Sequence, residues 1–291
     1  MATLISLRRR IRASMNVSKT TRAMQMIAAS KLKRAQDAAL SSRPYVKRLS
    51  DLVQDISQKV EDKTIHPYIH QETDSKKTLI VALSPDKGLC GSLITNLIRE
   101  FLSFTKENPS ATYIVCGKKL EAQVAKLPNE VLASFVFGTT LPKFEAVFPI
   151  IQLINDLYIN KKISSVKVLY TDFSSIFSQV PKVATLLPIT LSQPEVTEKS
   201  QKKSQLYEPG VNEILPSMLK HYIEMALYQF LLESYLSEQA SRMIAMQNAT
   251  NNAKDIIEAL KLEYNKTRQS KITSELLDIT GSRRAQQYGE Q

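Results

Sequence analysis

The chain has little glycine, with seven glycines in 291 residues. None lies before Gly88 or between Gly210 and Gly281, and nine of the twelve prolines fall in residues 67–194. Glycine and proline are the strongest breakers of regular structure. Their absence from both ends predicts a long helix at each end of the chain, whereas the middle is divided into shorter elements.

Other scarcities exclude whole classes of protein. Tryptophan is absent, and Cys90 and Cys116 are the two cysteines, with no signal-peptide pattern before them. This usage argues against a disulfide framework and predicts buried thiols in a reducing compartment. No apolar stretch approaches 18 residues, so the sequence predicts no transmembrane helix.

Acidic residues are almost missing from the first fifty positions. Residues 1–50 contain twelve Lys or Arg and one acid, Asp37, so they hold the whole formal net charge of +11. Such a segment favours an acidic partner, nucleic acid or an anionic membrane surface. An Arg-rich start is also typical of a mitochondrial transit peptide. The basic pattern continues to Arg48 without a cleavage-like break, which favours a permanent helix instead.

The two end segments have the pattern of paired helices. Residues 217–280 contain neither breaker and would form a helix of roughly 95 Å, and residues 4–60 contain only Pro44. A spacing of three and four, typical of a coiled coil, recurs through the first helix. Its positions are Leu4, Leu7, Ile11, Ser14, Ser18, Thr21, Gln25, Ala28, Leu32, Ala35, Ala39, Ser42, Val46, Leu49, Val53 and Ile56. The second helix has the same spacing at Met246, Ala249, Ala253, Ile256 and Leu260.

The middle of the chain alternates β-branched runs with helical stretches. The predicted strands are 78–83, 113–116, 131–137, 165–171 and 183–189. Strands separated by helices indicate a mainly parallel sheet. The sequence therefore predicts an α/β fold: an antiparallel coiled coil of the two end helices with an inserted Rossmann-like domain of about five strands. The expected boundaries are 1–60 and 211–291 for the helices, 76–190 for the α/β domain and 191–210 for a polar linker.

Candidate sites for chemistry are few. Residues 84–91 follow a strand and open a helix, but they match neither the P-loop nor the dinucleotide-binding pattern, and no histidine is predicted near Cys90. A tight turn is the preferred interpretation. His66 and His70 stand four apart, but Pro67 between them argues against a helical metal site. No metal or cofactor is predicted. A small enzyme using Cys90 and a basic coiled coil that binds nucleic acid stay open as alternatives.

Three segments resemble one known family. They are residues 8–32, with the run TRAMQMIAASKL at 21–32; residues 86–91, DKGLCG; and residues 237–276, from SEQASRM to ITSEL. Residues 206–209, LYEP, are a fourth and weaker match. Together these segments resemble the gamma subunit of F-type ATP synthase, the central rotating stalk, over nearly the whole chain.

The resemblance implies a rotor shaft without chemistry of its own, coupling ion-driven rotation to changes at the nucleotide sites of beta subunits during ATP synthesis or hydrolysis. Its partners would be three alpha and three beta subunits, the epsilon subunit and the membrane c-ring, with no nucleic acid and only indirect membrane association. The implied location is peripheral, on the cytoplasmic face of a bacterial inner membrane, or alternatively on the mitochondrial matrix face. The implied contacts with beta subunits are Met24, Arg242, Arg268, Gln269, Thr273 and Glu275. Tyr207 and Glu208 would contact the c-ring or the epsilon subunit.

The sequence departs from the family pattern at both ends. Thr20 and Arg22 stand where the family usually has isoleucine and lysine, and Arg is not a simple substitute for Lys. Residues 282–291 are polar where the family commonly ends in small apolar residues. No cysteine follows Cys116, which gives no basis for the thiol control of the chloroplast members.

Overall fold

The computed structural model describes residues 3–59, 66–69, 75, 77–189 and 210–289. The elements, in chain order, are α1 Leu4–Lys59, β1 Thr78–Leu83, α2 Leu93–Glu107, β2 Thr112–Cys116, α3 Lys118–Val124, β3 Val131–Phe135, a 3-10 turn Phe144–Val147, α4 Phe148–Ile159, β4 Ser165–Phe173, β5 Gln179–Leu187 and α5 Val211–Gly289. The prediction of two long end helices around a five-stranded domain is confirmed. The linker predicted at 191–210 lies, except for Gly210, outside the described residues.

The sheet has the strand order β3-β2-β1-β4-β5. β1 pairs in parallel with β2 and β4, and β2 pairs in parallel with β3, whereas β5 runs antiparallel to β4. The last pairing is a hairpin, since only residues 174–178 separate β4 from β5. The predicted mainly parallel sheet is therefore correct, and β5 begins four residues before the predicted start at 183.

Alternate residues of the central strand β1 enter different cores. Leu79 and Val81 pack with α4 and the first half of α5, whereas Ile80 and Ala82 pack with α2 and α3. A strand buried on both faces is the usual centre of a layered α/β domain, because each face has its own helices. α5 is thus part of the core of this domain.

Contacts divide the chain into two compact units, one formed by residues up to Ile27 and from Ala245 onward, the other by Ala28–Ile244. In the first unit, Arg8 bonds to Tyr264 and Thr21 to Thr250. In the second unit, Arg43 bonds to Glu233 and Tyr45 to His221. In both units later residues of α1 meet earlier residues of α5, so the helices pair antiparallel.

The predicted stripe of α1 is confirmed, because all sixteen of its positions are buried or half-buried. The stripe of α5 is wrong at one position: Ile256 is 52% exposed, and the neighbouring Ile257 is half-buried. The buried series runs through Thr250, whose hydroxyl lies 2.7 Å from that of Thr21. A polar residue with a partner can occupy the interior, and an apolar-only pattern misses it.

Pro44 and Pro216 lie inside helices. α1 continues through Pro44, and α5 begins at Val211 and continues through Pro216. No helix in the described part of the chain is both long and apolar enough to cross a membrane.

Candidate functional site

The turn after β1 lies against α5. Ser241 donates its hydroxyl to the carbonyl of Cys90 at 2.7 Å. Arg242 donates from Nη2 to the carbonyls of Lys87 and Gly88 at 3.2 and 3.3 Å. Two of the segments that carry the family resemblance, about 150 positions apart, thus meet in the fold. The sequence placed each of them on an element but contained no signal that they touch.

Arg242 is occupied by groups of its own chain. Its Nη1 lies 2.7 Å from Glu238 Oε1, and the two side chains are only 15% and 9% exposed. Burial raises the pKa of Glu238, while the nearby guanidinium acts in the opposite direction. The ion pair therefore holds the mostly buried guanidinium of Arg242 beside the turn, and the hydrogen bonds of that guanidinium fix the backbone of Lys87 and Gly88.

The same turn depends on a close backbone approach. Gly117 has a φ of +104°, and a Cβ at this position would lie 2.0 Å from the carbonyl oxygen of Ser84. Asp86 accepts hydrogen bonds from the backbone N–H of Lys118 at 3.1 Å and of Gly138 at 2.6 Å. The ends of β1, β2 and β3 are thereby joined to one another. Residues 84–92 thus form the connection between β1 and α2.

α5 covers the sheet edge where α/β folds hold ligands. The cavity at the ends of β1 and β2 measures only about 40 Å³, and Leu231, Tyr235 and Glu238 of α5 close it. A volume of this size holds only a few water molecules. It cannot hold a nucleotide, so the geometry gives no support to the small-enzyme alternative.

The cysteines are poor nucleophiles. Burial raises the pKa of Cys90 to about 11, with Arg242 lowering it by less, and burial also raises the pKa of Cys116. His66 accepts a hydrogen bond from the backbone N–H of Tyr68, and burial lowers its pKa. His70 lies outside the described residues. Across the described ranges, no three His, Cys, Asp or Glu residues form a group that could hold a metal.

The basic start of α1 presents its charges outward. Arg8 bonds to Tyr264 at 2.8 Å, with its guanidinium carbon 5.7 Å from the ring centre. Five other basic side chains before residue 23 are exposed, namely Arg9, Arg10, Arg12, Lys19 and Arg22.

Large apolar side chains interrupt this basic surface. Met24 is 39% exposed, Met26 is 64% exposed and Ile27 is 57% exposed. Met24 is expected from the family resemblance, whereas Met26 and Ile27 are not. The signal for Met26 and Ile27 is present in the sequence, because both are large apolar residues at positions outside the buried stripe of α1.

The remaining predicted contact residues lie near the end of α5. Arg268, Gln269, Thr273 and Glu275 are all exposed. Thr273 bonds to the backbone carbonyl of Gln269, and Glu275 lies 3.7 Å from Lys271 one turn away. These residues and Met24 belong to one unit, whereas Arg242 belongs to the other. Tyr207 and Glu208 lie outside the described residues.

Comparisons with known proteins agree over almost the full length. A family model described as ATP synthase matches residues 3–285. The ATP synthase gamma chain of Dehalococcoides mccartyi strain BAV1 is 38% identical over 283 residues, covering 97% of this chain and 98% of the relative. The ATP synthase gamma chain of Legionella pneumophila strain Corby is 32% identical over 285 residues, with the same coverage.

Solved structures show the same fold. A chain of the Euglena gracilis mitochondrial ATP synthase, in its OSCP/F1/c-ring structure, superposes with a TM-score of 0.69 at 19% identity, covering 99% of this chain and 96% of that one. A chain of the Tetrahymena thermophila mitochondrial ATP synthase, in its central stalk and c-ring structure, gives a TM-score of 0.59 at 24% identity, covering 79% and 99%.

Proposed function

We infer the function from one premise, that this chain belongs to the ATP synthase gamma-chain family. On that premise the chain is the rotor shaft of an F-type ATP synthase. It performs no reaction itself and converts ion-driven rotation into changes at nucleotide sites on other subunits. The observation that carries the proposal is the family match over residues 3–285, on a fold whose two longest helices pair antiparallel.

In this proposal the helices 1–60 and 211–291 form the shaft, residues 76–190 form its foot, and 191–210 link the two. The partners are three alpha and three beta subunits, the epsilon subunit and the c-ring. The structural relatives come from assemblies described as central stalk and c-ring and as F1 and c-ring. Neither the family nor these relatives supports the nucleic-acid alternative.

The proposed location is peripheral, on the cytoplasmic face of a bacterial inner membrane. The sequence relatives named above are bacterial. The matrix face of a mitochondrion is the alternative, because both structural relatives are mitochondrial.

The surface of the first unit supports the coupling role. A rotor changes affinity at a distant site only by making different contacts in different states. Exposed Met24, set among exposed basic residues, offers apolar area and positive charge to an acidic lever segment of a beta subunit. Arg268, Gln269, Thr273 and Glu275 offer a second, polar contact surface near the end of α5.

Arg242 has a different part in this proposal. Because its guanidinium is held by Glu238 and by two backbone carbonyls, it positions the 84–91 turn on α5. Any contact that Arg242 makes with a beta subunit would use the small exposed part of its side chain.

The test is purification of the chain from solubilised membranes, followed by one substitution. Recovery with alpha and beta subunits is expected, and recovery without them would reject the proposal. In the complex, Met24→Lys should lower proton pumping per ATP hydrolysed in membrane vesicles, because it adds a charge at the expected lever contact. Met15→Lys is the control, since Met15 is 43% exposed on the same helix. Unchanged pumping in Met24→Lys, or an equal loss in both variants, would contradict the assigned contact.

A further inference from the structure

The turn that joins β4 to β5 carries the most exposed aromatic side chain in the part of the chain that the structure describes. Phe177 is 85% exposed, and the neighbouring Ile176 and Val180 are 37% and 43% exposed. Single apolar residues scattered over a surface need no explanation, whereas a group of them at one point marks a contact with another molecule. None of the residues assigned to the rotor contacts lies in this turn.

Hydrogen bonds within the turn hold Phe177 in place. The backbone N–H groups of Ser175 and Ser178 donate to each other's carbonyl oxygens at 3.1 and 3.2 Å. The hydroxyl of Ser175 accepts from the backbone N–H groups of Phe177 and Ser178 at 3.3 and 3.1 Å. The amide of Gln179 donates to the carbonyls of Ser175 and Ile176 at 3.0 and 2.7 Å. The turn is therefore preorganised, which lowers the entropic cost of placing Phe177 in a partner.

The base of the hairpin is fixed to the long helices. Phe173 packs against a cluster of apolar residues from α1 and α5, and its carbonyl accepts a hydrogen bond from Arg43 Nη2 at 3.4 Å. One residue earlier, Asp172 forms an ion pair with Lys182 across the hairpin at 2.7 Å. A partner that held Phe177 would therefore be joined to the packed body of the chain through a short, rigid connection.

The tip of the hairpin carries no charge, which limits the kind of partner that it fits. Residues 173–181 contain no Asp, Glu, Lys or Arg, although the chain as a whole has a net charge of +11. The flanking Asp172 and Lys182 neutralise each other. Peripheral binding to an anionic membrane relies on clustered Lys and Arg, which this tip lacks. Its complement is an uncharged apolar pocket in another protein.

We propose that Phe177 anchors a protein subunit that turns together with this chain, and that its ring enters an uncharged apolar pocket of that subunit. The inference rests on the proposed rotor function. A contact with a stationary subunit would have to break and form again as the shaft turns. An aromatic side chain held on a rigid turn is typical of the anchors that dominate stable interfaces, so it suits a permanent contact.

Photochemical cross-linking in the complex purified from solubilised membranes tests the contact, with p-benzoyl-phenylalanine in place of Phe177. Irradiation should join the chain to one other subunit, which mass spectrometry identifies. ATP hydrolysis should continue, because a bond between two parts that turn together does not stop rotation. A link to an alpha or beta subunit, or a link that stops hydrolysis, would overturn the proposal. Links to phospholipid alone, or no link at all, would also overturn it.

Two variants measure the contribution of the ring. Phe177→Ser should weaken rebinding of the linked subunit to a washed complex about ten-fold. Its urea midpoint should not change, since the ring is 85% exposed. Ile159→Ser is the control, because Ile159 is 55% exposed at the end of α4. Unchanged rebinding in Phe177→Ser, or an equal loss in Ile159→Ser, would overturn the proposal. Recovery of alpha and beta subunits before irradiation tests the rotor role separately, so a recovered complex without a link overturns the anchor alone.

Discussion

Replacing Arg242 by methionine is the sharpest test of how the 84–91 turn is held on α5. The change removes an ion pair to Glu238 and two hydrogen bonds to backbone carbonyls. Removing one partner of a buried ion pair costs about 3–5 kcal/mol, because the other charge stays buried and unpaired. Protonation of Glu238 would offset part of this cost, because it removes the unpaired buried charge. We therefore expect a loss of about 2–4 kcal/mol in unfolding free energy at neutral pH.

The loss should depend on pH with a defined sign. Burial raises the pKa of Glu238, and Arg242 opposes that rise, so the pKa should rise further in the variant. A carboxyl whose pKa is higher in the folded state stabilises the fold below its unfolded pKa. That contribution disappears as the pH rises through the folded pKa. The deficit of the variant should thus be small near about pH 4 and grow toward neutral pH.

The assay is equilibrium urea unfolding of the full chain, followed by far-ultraviolet circular dichroism at several pH values. A double-mutant cycle with Glu238→Gln isolates the pair energy. Lys271→Met is the control, because it breaks a pair with Glu275 whose side chains are 62% and 61% exposed. Such exposed pairs are worth less than about 1 kcal/mol. A deficit that does not change with pH, or one no larger than that of Lys271→Met, would refute the reasoning.

Two further predictions concern the same region. Gly117→Ala should destabilise the chain by more than about 3 kcal/mol, since the new Cβ meets Ser84 O at 2.0 Å and φ is +104°. Gly138→Ala, at φ +76° with nothing within 4 Å, should cost only about 1–2 kcal/mol, and equal urea midpoints would contradict this difference. Iodoacetamide should alkylate Cys90 about 100-fold more slowly in the folded chain than in urea, because burial raises its pKa from 9.0 to about 11. Equal rates measured by mass spectrometry would show that the thiol is accessible and ionised.

Local pattern was sufficient for much of the architecture. The long helices follow from where glycine and proline are missing, and the stripe of α1 from a spacing of three and four. The strands follow from short β-branched runs, since each signal lies within a few neighbouring residues. The predicted series of buried residues in α5 contained only apolar residues, and it placed Ile256 in the interface. The polar Thr250 in fact belongs to the buried series, because its hydroxyl bonds to that of Thr21. That bond joins positions 229 residues apart, so no local window contains it.

Met24 and residues 268–275 of α5 are exposed, and their contacts with beta subunits stay a prediction from the family resemblance. The sequence by itself determined the order and length of the elements and the basic character of the first helix. Only the tertiary structure decided that Arg242 faces the backbone of its own chain and that α5 closes the ligand edge of the sheet. The physical reason is distance along the chain: helix and strand signals are short-range, whereas each of these environments is assembled from groups far apart in sequence.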